Sequence, residues 1–394
     1  MDSEASFLWH GPVWFAGRPF PGTGPKIPGL TGDVDLVETA RVGHALDAEL
    51  PAAIVIDLAS ISESGLEADF WDILQAGVAR LETDVPIIFL AQPGETIPEG
   101  VRPDVIVDKR IPDLSLFNLV CDTQRALMRS EEARIRRKTF GRVPGYGSAA
   151  HHQGTSGLLV IGMGGRFLDL QRAQDRKVTL VGAFDQNMGE LFLSQRGFDA
   201  VILDSTLDAS LENLRQIRMD ARYASMPVLV IADNTVDIPT YFEAGASDVL
   251  MLPMETPELK FRLATAIRTG KRRRLADKTL AESHKWLTQQ LARGGVTQDH
   301  YSRYLEMAEN ALGRRGLAVW EMRLLPENFE TPAMATMLAT DLYGTVLSIA
   351  DATSREEDLV CFVHDVGPIA VLKSERGKQR LQARINAILG HTRL

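Results

Sequence analysis

Arg355 and Asp358 lie three residues apart in Arg355-Glu356-Glu357-Asp358. An arginine presents a planar, permanently charged fork that can hold a phosphate, or the N7/O6 edge of a guanine, through two parallel bonds. An aspartate can accept the N1–H and exocyclic amine of the same base. The pair could therefore bind a guanine nucleotide, or it could be an exposed salt bridge on a turn, worth ~0–1 kcal/mol. After five intervening residues comes His364-Asp365-Val366-Gly367-Pro368. Two further acids, Asp57 and Asp204, each close an apolar run, with Lys109 some fifty residues beyond the first. His151-His152 stands in a glycine-rich stretch and is read as incidental, not as a metal site.

The runs that end in these acids are Ala52-Ala53-Ile54-Val55-Ile56-Asp57 and Phe198-Asp199-Ala200-Val201-Ile202-Leu203-Asp204. Continuous apolar runs of this length predict strands buried on both faces of a parallel sheet, whose carboxyl ends gather functional groups. Each acid is followed by matching runs: Val85 to Ala91 and Met226 to Ala232, then Pro103 to Lys109 and Ala246 to Pro253. Strands alternating with helix-sized gaps predict βαβ units, here repeated at an interval of roughly 145 residues. Residues 131–156 begin charged and become rich in Gly, Ser and His, which predicts a linker. A proline-free stretch from Glu258 to about Ala292, with one internal glycine, Gly270, predicts a long helix. Its run Lys271-Arg272-Arg273-Arg274 reads as a solvated face rather than a nucleic-acid or membrane patch. Leu280, Leu287 and Leu291 along it allow either a stem between subunits or packing on its own domain. The expected division is 1–130 and 157–275 for the repeats, 131–156 for the linker, 276–293 for a helical stem and 294–394 for a third domain.

The whole chain has 394 residues, enough for several domains. Its 45% hydrophobic and 24% charged residues fit globular cores. A net charge of −9 argues against general nucleic-acid binding. No apolar run approaches the ~20 residues of a membrane span. The acidic start Met1-Asp2-Ser3-Glu4 lacks a signal peptide's basic and apolar regions. Two isolated cysteines, Cys121 and Cys361, give neither a disulfide framework nor a metal site. The expectation is a cytoplasmic protein with no bound metal or cofactor.

On Asp57, Asp204, Lys109 and the runs around them, the two repeats resemble response-regulator receiver domains, which have a flavodoxin-like, doubly wound sheet of five parallel strands. The resemblance implies Asp57 as a candidate phosphoacceptor and Asp204 as a poorer one. The family's Mg²⁺-binding acid pair is missing twice, at Ala16-Gly17 and at Gly162-Met163. Leu252 stands where the family lysine belongs, and Arg110 follows Lys109 in place of the usual proline. The third domain resembles the GGDEF (diguanylate cyclase) family, an α+β fold. In that register Glu321 and Arg323 fall near the metal-binding aspartates, Pro326–Pro332 replaces the guanine- and ribose-binding segment, and His364 to Gly367 replaces the catalytic turn. Arginine repels a divalent cation, and the turn needs glycines for close approach to a triphosphate. The resemblance thus implies a degenerate domain without cyclase activity that retains the family's product site for cyclic di-GMP: Arg355, Asp358 and, downstream, Arg384. Arg172 and Arg176 of the second repeat are further candidates for that ligand. Two receivers followed by a GGDEF domain resemble response regulators of the PopA/PleD type, closest to their non-catalytic effectors. This implies an adaptor in cell-cycle or polar regulation, a homodimer, possible recruitment to a cell pole, and regulatory partners such as protease adaptors or polar factors. The competing reading is a phosphorylation-dependent receiver scaffold with no nucleotide ligand.

Overall fold

The computed structural model describes residues 8–11, 13–16, 33–34, 50–63, 67–81, 83–98, 100–141, 157–174, 176–325 and 336–391. Gly17, most of the glycine- and proline-rich start of the chain, His151-His152 with the rest of 142–156, and all of Pro326–Pro332 lie outside them. The chain forms two compact units, one of residues 1–127 and 148–274, the other of residues 128–147 and 275–394.

The first unit holds two parallel sheets. Strands β1 (Val13–Ala16), β2 (Asp33–Val34), β3 (Ala53–Asp57), β4 (Ile87–Ala91) and β5 (Val105–Asp108) line up in the order 2-1-3-4-5. Strands β6 (Gly157–Gly162), β7 (Thr179–Ala183), β8 (Ala200–Asp204), β9 (Val228–Ala232) and β10 (Asp248–Met251) repeat that order, β7 taking the second place. This is the flavodoxin-like, receiver-like winding. The central strands are buried because helices cover both faces, except at Asp57 and Asp204, the half-buried last residues of β3 and β8. Among these helices are α1 (Leu58–Glu63) and α2 (Glu67–Arg80) on the first sheet. The second carries α4 (Phe167–Ala173), α5 (Gln186–Gln195), α6 (Leu207–Met219) and α7 (Ile238–Glu243).

Helix α3 (Asp113–Phe140) corrects the expected linker. Its charged stretch 131–138 is helical, and Glu132, Ala133, Ile135 and Arg136 are buried. The expected long helix is α8 (Thr256–Leu291). Its basic run is neither a free patch nor simply solvated. Arg272 pairs with Asp104 of the first repeat, and Arg274 with the buried Asp199 of the second. Leu280 and Leu287 are buried within the second unit, Leu280 against Ala133 and Ala276, which fits packing on its own domain.

In the second unit an antiparallel sheet runs in the order β11 (Trp320–Arg323), β13 (Gly367–Leu372), β12 (Leu359–Val363). Alternation along β13 divides its core. Ile369 and Val371 face a cluster with Tyr304 of α9 (Gln298–Gly313) and Ile135 of α3. Ala370 and Leu372 face a cluster with Val346 of α10 (Thr336–Thr353) and Leu381 of α11 (Glu375–His391).

Candidate functional site

The Arg355–Asp358 turn joins the end of α10 to β12 and closes on itself. Asp358 N–H donates to the Arg355 carbonyl at 3.0 Å, and the Asp358 carboxylate accepts Arg355 N–H at 3.1 Å. The other carboxylate oxygen accepts Lys373 N–H at 3.2 Å. Asp358 is buried, and burial pushes its carboxyl up to about 6. The Arg355 side chain is 48% exposed; Glu357 is its nearby carboxylate, at 4.0 Å. Arg384, exposed on α11, donates from Nη1 to the Thr353 carbonyl at 3.2 Å. The fold thus brings Arg355 and Arg384 to the carbonyl end of α10, with Asp358 beneath. Arg172 and Arg176 are exposed residues of the first unit, and Arg172 lies 3.9 Å from Asp169.

Sequence reasoning missed what holds this turn. Arg136 of α3 donates from Nη2 to the carbonyls of Asp358 at 2.7 Å and Glu356 at 3.2 Å. Its Nε donates to Glu132 Oε1 at 2.6 Å, which also accepts the Tyr304 hydroxyl at 2.7 Å. Lys373 Nζ lies 3.0 Å from Glu132 Oε2 and donates to the Tyr304 oxygen at 2.8 Å. Burial opposes the charge of Glu132, but Lys373 and Arg136 outweigh it and hold its carboxyl below the usual range. The i, i+4 spacing of Glu132 and Arg136 was the available signal.

The turn expected to replace the catalytic signature is a hairpin tip. Strands β12 and β13 meet at Val363 and Gly367, with His364, Asp365 and Val366 between them. Asp365 has φ 62° and Gly367 φ 102°. His364 Nδ1 lies 2.8 Å from Asp365 Oδ2, and both side chains are exposed. Glu321 and Arg323 alternate with the buried Met322 on β11, and the Tyr301 hydroxyl bonds Glu321.

At the carboxyl edge of the first sheet, Asp57 accepts Ala59 N–H at 3.2 Å and the Ser60 hydroxyl at 3.1 Å. Glu95 lies close enough to feel both Lys109 and Asp57; burial raises its carboxyl, while Gln92 N–H, at 2.9 Å, and Lys109 oppose the rise. Arg110 is turned away onto Asp108 through two side-chain bonds of 2.8 and 2.6 Å. In the second sheet, the loop after β6 closes over Asp204. Met163 N–H donates to the Asp204 carbonyl at 3.0 Å and Arg166 N–H to its carboxylate at 3.0 Å. A Cβ on Gly162 would stand 2.0 Å from that carbonyl. Among the described residues no group of three His, Cys, Asp or Glu could hold a metal ion.

A buried chain also joins the two sheets of the first unit. Arg262 of α8 donates to both oxygens of Asp248 at 2.9 Å and to Glu258 at 3.0 Å, and Glu258 accepts Gly94 N–H from the loop after β4 at 3.0 Å.

No protein-family model matches this chain, and no curated protein matches it. Solved structures do. A protein assigned as a response regulator from Chloroflexus aurantiacus J-10-fl is 18% identical, over 29% of this chain and 98% of its own, with TM-score 0.24. The receiver domain of a sensor histidine kinase from Pseudomonas aeruginosa PAO1, with magnesium coordinated in its active-site cleft, is 20% identical over 29% and 98%, with TM-score 0.25. A protein assigned as a two-component response regulator with a GGDEF domain is 13% identical over 66% and 100%, with TM-score 0.26. These are likenesses; the receiver-like fold rests on the strand order of the two sheets. Among the described residues no helix is long and apolar enough to cross a membrane.

Proposed function

We propose that the protein is a non-catalytic receptor for cyclic di-GMP, an adaptor of the PopA/PleD type in bacterial signalling that governs contacts with regulatory partners. The observation that carries this reading is the bond from Arg384 to the Thr353 carbonyl, which sets a second exposed arginine beside the turn of Arg355. Two guanidinium forks suit a ligand with two phosphates and two guanine edges. Asp358 serves first as the turn's internal brace, since both of its oxygens already accept backbone N–H groups. A carboxylate has about four acceptor positions, so it retains capacity for a base. Arg172 and Arg176 enter this reading by resemblance alone, as do a homodimer, polar recruitment and protease-adaptor partners. Side chains of His364 and Asp365 stand where a cyclase turn would need bare backbone, which supports the absence of catalysis.

Calorimetry with cyclic di-GMP tests the reading. Micromolar or tighter binding, lost in Arg355→Ala and weakened in Arg384→Ala, supports it; no heat with the intact chain sinks it. Incubation with GTP and Mg²⁺ should give no cyclic product, and steady turnover would overturn the non-catalytic part. The second reading, a phosphorylation-dependent scaffold, draws on Asp57 with Lys109 and Glu95 at one sheet edge. Beryllofluoride capture at Asp57 without nucleotide binding would favour it.

A further inference from the structure

The buried groups beneath the Arg355–Asp358 turn come from far apart in the sequence, and all converge on the turn's backbone. Arg136 takes two of its four carbonyls, those of Glu356 and Asp358, with one nitrogen. Lys373 reaches it from the other side, its N–H on the Asp358 carboxylate and its ammonium on Glu132 and Tyr304. Glu132 closes the circuit by accepting from Arg136 and Tyr304. At the rim Arg129, also of α3, bridges Glu356 and Asp277. Arg136 and Glu132 are almost fully buried, so their charges are retained only because each is paired. A helix-to-strand connection needs none of this; Asp358 already closes the turn locally.

The geometry points to Arg136 as a positioning residue for the proposed nucleotide site: clamped by Glu132, it fixes the carbonyls of Glu356 and Asp358 and so presents Arg355 in binding geometry before ligand arrives. This rests on the reading of the turn as a ligand site. A preformed turn does not have to be ordered at the moment of binding, and that saving appears as affinity. Residues 128–140 of α3 are then part of the site's scaffold without touching ligand.

The test uses the full chain and three variants: Arg136→Ala, Arg136→Lys and Leu280→Ala. Leu280 packs on Ala133 of α3 and Ala276 and has no polar side-chain atom to bond the turn or its brace, so it controls for lost helix packing. Three measurements are made: cyclic di-GMP affinity by calorimetry, amide exchange of the 355–358 backbone, and stability by urea unfolding. Arg136→Ala is expected to weaken binding on the order of ten-fold or more, as loss of a charge-assisted bond would, and to speed exchange of the turn. Arg136→Lys keeps the charge beside Glu132 but not the fork, so it should recover stability without recovering affinity. Leu280→Ala should lower stability and leave affinity within about two-fold of the parent. Unchanged affinity in Arg136→Ala, or equal weakening by Leu280→Ala, overturns the inference while leaving the proposed receptor intact. If the parent chain binds no cyclic di-GMP, the receptor reading falls and takes the affinity claim with it. Turn exchange in Arg136→Ala then decides the positioning claim alone: faster exchange supports it, unchanged exchange overturns it too.

Discussion

Asp358 should make the second unit less stable as the pH rises through the mildly acidic range. Its carboxyl has an ordinary value of 3.8 and is pushed to about 6 in the folded chain, first by burial and then by the neighbouring Glu357, against the bonds from Arg355 and Lys373 N–H. A raised folded value means that the folded state holds the proton more tightly than the unfolded chain. The stabilisation is fully present below pH 3.8 and is lost progressively as pH rises to about 6. At 1.36 kcal/mol per unit, the interval corresponds to about 3 kcal/mol at most. Glu132 acts in the opposite direction, since its carboxyl is held below the usual range, so the wild-type curve alone is ambiguous. Asp358→Asn removes the titration and keeps the size. One oxygen remains to accept, and the amide nitrogen then opposes an N–H, a fixed cost of about 1–3 kcal/mol at every pH. Urea unfolding of both proteins between pH 4 and 7 separates the effects. The difference between the two curves should slope through that window and flatten above about pH 6. A difference independent of pH would refute burial of a titrating carboxylate under this turn.

Arg262→Ala leaves Asp248 and Glu258 buried without their partner and should cost about 3–5 kcal/mol in urea unfolding; a loss below about 1 kcal/mol would show that water reaches the trio. Gly270→Ala drives a Cβ to 1.8 Å from the Asp199 carbonyl, backbone against backbone, and should abolish soluble folded protein or displace α8 in a thermal scan. Gly344→Ala, with nothing within 4 Å, should instead raise stability by about 0.5–1 kcal/mol through helix propensity. Burial pushes the thiols of Cys121 and Cys361 up to about 11 and about 12, so alkylation of the native protein at pH 8 should be far slower than that of the unfolded chain, read by mass spectrometry.

The strands were legible because a parallel sheet buried on both faces leaves an unmistakable trace. Ala53 to Ile56 and Ala200 to Leu203 are apolar at every position, and helix-sized gaps between such runs leave few windings open. Helix α8 was legible for a similar local reason, a long stretch without proline. What escaped was every element whose meaning depended on a distant partner. Glu131 to Lys138 reads as solvent-facing linker because charge ordinarily stays in water. It is helix with one face buried, because Tyr304 and Lys373, remote in sequence, supply partners for Glu132. The run Lys271 to Arg274 carries the same ambiguity, resolved by Asp104 and Asp199.

The arginine–aspartate pair illustrates the limit most clearly. Its spacing fits both a surface salt bridge and a binding turn, and the two differ in where the aspartate points. A surface bridge would set the Asp358 carboxylate against the Arg355 guanidinium, spending both charges on each other in water. The fold instead turns Asp358 inward onto two backbone N–H groups, while the charged fork of Arg355 faces outward. Asp358 and Arg136 together cost the fold two buried charges to hold a four-residue connection in one shape. A connection between α10 and β12 does not require that shape for stability, because apolar residues of similar volume would serve as well or better. The expense is intelligible if the shape itself is what the turn is for, with Arg355 as the group presented.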